Sequence, residues 1–78
     1  MGFKSHLEDV LARALYGRNA RWRILDLPNV YIVTAWMKNL NYYVERRYIK
    51  DNVSVKDIKE IVDEIISAIE RKIANDAM

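Results

Sequence analysis

The stretch from Ser54 to Ile73 leaves the chain little conformational choice. Val55, Ile58, Ile61, Val62, Ile65, Ile69 and Ile73 recur at helical spacing and form one apolar stripe. Lys56, Lys59, Glu60, Asp63, Glu64 and Arg71 fall largely off it. Ser54 stands where an N-cap belongs, Asp57 sits three residues on, and Val53 and Ile58 have the spacing of a hydrophobic staple. The pattern predicts a helix over about 55–74.

A second helix announces itself near the start. Ser5 and Glu8 have capping-box spacing, and Leu7, Val10, Leu11, Ala14 and Leu15 follow the 3.6-residue period. Gly17 stands where a left-handed C-cap is wanted. These signals predict a helix over 6–16.

The middle admits two readings. Val30, Val33, Met37, Leu40, Val44 and Tyr48 are three and four apart, a heptad-like seam that predicts one long helix over 29–49. The rival takes "RWRILDL" and "VYIVT", rich in β-branched and aromatic residues, as strands joined by a turn at Pro28-Asn29. The seam stays in phase from Val30 to Tyr48, which favours the helix. The fold class expected is therefore all-α: a helical bundle of three helices with a long central second one. The alternative is α+β with a small β-hairpin near 22–34.

With 78 residues the chain is expected to form a single domain, 1–78. Hydrophobic residues make up 51 %, a large share for so small a core, and a subunit interface would absorb the surplus. There is no cysteine, which excludes disulfides, thiolate zinc sites and a catalytic thiol. No long apolar segment follows the N-terminus, and the run Val30–Met37 is too short to cross a bilayer. The expectation is a small soluble domain of the cytoplasm, without a membrane partner. A lack of glutamine hints at a thermophilic source, against which stand six asparagines. Charge is uneven: residues 1–50 carry nine Lys/Arg against four Asp/Glu, and residues 51–78 carry four against seven.

Catalytic chemistry is sparse. His6 is the one histidine, so no ligand set for a metal is visible, and no cofactor or small-molecule substrate is implied. Glu60, Asp63 and Glu64 lie on the polar side of an amphipathic helix and should stay in water, without the desolvation a general acid needs. Ser5 and Ser54 read as caps rather than nucleophiles. An enzyme is not expected.

Two features remain. Arg18, Arg21 and Arg23 surround Trp22 in a connector. They read either as nucleic-acid contacts, which Lys4, Arg13, Lys38, Arg46 and Arg47 would widen, or as a tryptophan plugging the core under a cover of arginines. On a helix over 29–49, Tyr31, Lys38, Tyr42 and Ile49 would cluster on a second side, away from the main seam, and would form a self-association surface. The function expected is a non-catalytic protein–protein interaction module, a homodimer or a binder of another protein through helix–helix contacts. A nucleic-acid-binding accessory role for Arg18–Arg23 is the alternative.

Overall fold

The computed structural model describes residues 2–37 and 42–77. Helix α1 (Phe3–Leu15) leads into strands β1 (Ala20–Asp26), β2 (Val30–Met37) and β3 (Tyr43–Ile49). Two 3-10 turns, Lys50–Asn52 and Val55–Asp57, then deliver the chain to helix α2 (Ile58–Ala77). The strands form an antiparallel sheet in the order β1-β2-β3, and both helices pack on one of its faces.

The fold is thus α+β, and the all-α, three-helix expectation is overturned. No helix spans 29–49; strands β2 and β3 occupy its described part, and Leu40 of the proposed seam lies outside the described residues. The physical reason is visible in the register. In β2, Tyr31, Val33, Ala35 and Met37 point toward the helices, while Val30, Ile32, Thr34 and Trp36 point away. Both sets are largely apolar, so the strand shows no polar–apolar alternation to betray its period of two. Val30 and Val33, neighbours in the apparent seam, stand on opposite faces. Of the alternative near 22–34 only the hairpin itself forms, with longer strands and a third strand, β3, that neither reading contained; the Leu27 N–H donates to the Val30 carbonyl at 3.0 Å, closing a tight turn at Pro28 and Asn29.

The helical ends follow their patterns more closely. On α1, Leu7, Leu11 and Leu15 are buried; the helix starts earlier than expected, capped by Gly2, so Ser5 lies inside it and its box with Glu8 does not form. Gly17 has φ +79° and Asn19 φ +58°, and these two left-handed residues turn the chain from α1 into β1. Ser54 and Asp57 do form a capping box, with the Ser54 N–H donating to the Asp57 carboxylate at 2.9 Å. On α2, Ile58, Ile61, Val62, Ile65, Ala68 and Ile69 are buried; Val55, in the preceding 3-10 turn, stays 48 % exposed.

The core is one layer, closed by these side chains with Ile24, Val33, Ala35 and Val44 from the sheet. Its polar margin ties sheet to helix: Arg46 Nε stands 3.2 Å from Glu64 Oε1, and the Lys72 ammonium donates to the Tyr43 carbonyl at 2.8 Å. At one end Lys50 pairs with Asp26 and lies 4.7 Å from the centre of the Tyr31 ring, which stacks on Phe3. Among the described residues no helix is long and apolar enough to cross a membrane.

Candidate binding face

With both helices on one side, the other face of the sheet is left uncovered by any described element. Strand pairing arranges it in rows. Arg21, Trp36 and Tyr43 stand side by side across the three strands; Arg23, Thr34 and Glu45 form the next row, and Leu25, Ile32 and Arg47 the third. Val30 and Ile49 continue it toward the β1–β2 turn. Strands lie about 4.8 Å apart and successive same-face residues about 6.7 Å, so each side chain is within reach of its row neighbours.

Trp36 and Tyr43 stand directly opposite each other across β2 and β3, and the Tyr43 ring lies near the sheet edge, with the Lys72 ammonium 5.5 Å from its centre. The Met37 N–H donates to the Tyr42 carbonyl at 2.9 Å, which makes 37 and 42 a hydrogen-bonded pair. By the alternation of an antiparallel ladder, Trp36 and Tyr43 are then a non-hydrogen-bonded pair, the kind in which side chains approach most closely. Arg21 flanks them from β1.

The face is polarised. Toward Trp36 it is aromatic and basic; toward the β1–β2 turn it is aliphatic, with Leu25 37 %, Leu27 40 % and Ile49 55 % exposed. Arg21, Arg23 and Arg47 supply its positive charge, and Glu45, 3.8 Å from Arg47, its one negative group. The open face holds Arg21, Arg23 and Arg47 against Glu45, whereas Arg46 and Asp26 face the helical side, where α2 holds Lys59, Arg71 and Lys72 against Glu60, Asp63, Glu64, Glu70 and Asp76. The imbalance expected along the sequence is an imbalance between two sides of the molecule.

The structure separates the residues that sequence spacing had grouped. Arg21 and Arg23 lie on the open face, but Trp22, between them, points to the other side and packs against the core. Arg18 belongs to neither; it sits at the α1–β1 turn, 3.9 Å from Glu70. The proposed self-association surface is also divided. Tyr31 faces inward on Phe3, Tyr42 donates its hydroxyl proton to Asp76, Ile49 stands on the open face, and Lys38 lies outside the described residues. Trp36 and Tyr43 were missed because the helical period put them in no common patch with Arg21. A period of two, with a turn at Pro28-Asn29, sets residue 36 opposite residue 21.

Other chemistry is thin. Among the described residues no three His, Cys, Asp or Glu side chains gather as a metal site would require. An apolar cleft of about 180 Å³, lined by Leu15, Ala20, Met37, Ile66, Ile69 and Ile73, opens beside the Arg18–Glu70 pair. Tyr48 is half-buried under α2, and its pKa is pushed up to about 12, first by desolvation and then by Glu64, with Arg46 opposing.

Comparison with protein families, with characterised proteins and with solved structures finds no match to this chain.

Proposed function

We propose that the protein is a non-catalytic binding module that holds single-stranded nucleic acid on the open face of its sheet. The observation that carries this reading is the row Arg21–Trp36–Tyr43, with Arg23 in the next row. An indole and a phenol at opposite positions of neighbouring strands would offer π-faces to successive bases, and guanidinium groups would take the phosphates between them. A flat, uncovered sheet suits a strand whose bases are splayed rather than paired. This keeps Arg21 and Arg23 of the connector, leaves out Arg18, and replaces Trp22 by Trp36 as the stacking residue.

The test is a salt titration with a fluorescent single-stranded oligonucleotide. Wild-type affinity should fall steeply with salt. Replacing Arg21 and Arg23 by Gln should flatten the log–log slope by about 0.7 for each phosphate no longer neutralised. An affinity too weak to detect at low salt removes the reading.

A second reading rests on the aliphatic end of the same face. Exposed Leu25, Leu27 and Ile49, with half-buried Val30 and Ile32 between them, form an apolar patch of the kind that seats a protein partner. The contact would be made by a sheet rather than by the helix–helix packing expected from sequence. Loss of partner capture on Leu25→Asp, with oligonucleotide affinity unchanged, separates the two.

A further inference from the structure

We propose that two copies of this chain join along β3, edge to edge and antiparallel, making a continuous sheet with the strand order β1-β2-β3-β3-β2-β1. The inference stands on the backbone and the β3 sequence, independently of what the open face binds.

The edge is available in hydrogen-bonding terms. The Lys50 N–H donates to the Asn29 carbonyl at 3.0 Å, and the Met37 N–H to the Tyr42 carbonyl at 2.9 Å. Between these two bonded pairs, the ladder's alternation turns the N–H and C=O groups of Tyr43, Glu45, Arg47 and Ile49 away from β2. They point outward along an edge, the usual template for another strand. The groups turned out are those of the residues whose side chains lie on the open face.

Charge then selects one register. A two-fold axis normal to the sheet makes the pairing antiparallel and puts like faces on the same side, so directly opposite residues must share a face. Centred on Glu45, the pairing sets two glutamates opposite each other; centred on Arg47, two arginines. Centred on Arg46, it sets Glu45 opposite Arg47 of the second copy, twice over, and Tyr43 opposite Ile49, also twice. Opposite charges and aromatic–aliphatic pairs are the favourable cross-strand combinations. Tyr43 is 58 % and Ile49 55 % exposed in the single chain, so both gain cover in the same register. The Arg46 side chains meet at the axis on the helical side, and each has its own Glu64 at 3.2 Å to offset the repulsion. Lys72 donates to the Tyr43 carbonyl and stands 5.5 Å from the Tyr43 ring, so at each end of the pairing its flexible side chain must share that carbonyl's second lone pair or swing aside, while the backbone groups of Glu45 and Arg47 stay clear of it.

Strand β1 offers no comparable match. Its opposite charges, Asp26 and the pair Arg21 and Arg23, lie on opposite faces and cannot be set against each other in such a ladder.

The self-complementary pattern allows a charge-swap test, read by sedimentation equilibrium on nuclease-treated protein. Wild type should dimerise as concentration rises. Glu45→Arg places two arginines opposite each other, and Arg47→Glu two glutamates, so each variant alone should shift toward monomer. Mixed in equal amounts, the two should form a heterodimer. Positions 45 and 47 are then both basic in one chain and both acidic in the other, so every cross-strand pair between them is attractive. Restoration in the mixture also shows that both variants fold. A wild type that stays monomeric at the highest concentrations, single variants that dimerise like wild type, or a mixture that stays monomeric would each overturn the proposal. Oligonucleotide affinity of Trp36→Ala, a residue away from this edge, reports on the binding face separately.

Discussion

Trp22 and Trp36 stand on opposite faces of one sheet. Trp22 is set against Ala35, packed on the core, while Trp36 is set against Arg21 on the uncovered side. Both are partly buried, but Trp22 is held by the core, whereas Trp36 stands where the proposed ligand would lie. Trp22→Ala should therefore lower stability by about 3 kcal/mol, near the low end for a large aromatic because the side chain is only partly buried. Trp36→Ala should lower it less, because no described helix covers that side chain, and should cost roughly 1–3 kcal/mol of single-strand binding. Thermal unfolding and an oligonucleotide titration of both variants check the crossed pattern; equal effects of the two on stability would contradict it.

The raised pKa of Tyr48 gives stability a pH dependence at the alkaline end. The folded chain holds this proton up to about pH 12, while an unfolded tyrosine releases it near 10. The contribution is fully present below pH 10 and is lost as pH rises through 12, because deprotonation then favours the unfolded chain. Tyr48→Phe should flatten stability between pH 10 and 12. It should cost little at neutral pH, since the hydroxyl it removes has no hydrogen-bond partner among the described residues. Denaturant midpoints of both proteins across that range supply the measurement.

Much of the helical architecture was legible in the sequence, and the reason is local. Leu7, Leu11 and Leu15, and Ile58 through Ile69, alternate with charged residues at a period only a helix satisfies. The sheet was legible as far as its first hairpin, where Pro28-Asn29 punctuates two β-rich runs. Strand β3 was not, because Val44 and Tyr48, four apart, satisfy both periods: they share a face in a strand and also in a helix. The binding face was half legible. Arg21 and Arg23 were singled out for their charge, but Trp36, Tyr43 and Arg47 join them only through the cross-strand register, which no local spacing encodes.

Gly17 should resist substitution although nothing crowds it. Beyond its two chain neighbours, no atom of the described residues lies within 4 Å of the position a Cβ would take, yet φ is +79°. Gly17→Ala should cost about 1 kcal/mol through backbone strain alone. Gly17→Asn should cost less, since asparagine tolerates the left-handed region. Chemical denaturation of the pair distinguishes strain from packing; packing would penalise the larger side chain more.

The entry to α2 should depend on its capping box. Ser54→Ala removes the side-chain acceptor at the helix start and should destabilise by about 1 kcal/mol. Ser54→Asp should retain most of the wild-type stability, because a carboxylate accepts the same bond and favours the positive end of the helix. Equilibrium unfolding of the two variants tests the ordering.

Arginine-rich strands on one side and an acidic α2 on the other give the molecule a dipole larger than its net charge of +2 suggests. A polyanion approaching from any direction therefore exerts a torque as well as a pull. It turns the sheet toward itself and the helices away while the two are still separated by up to about a Debye length, about 8 Å at physiological salt. On the proposed function, orientation is biased before contact, and a single strand would meet the open face of the sheet first.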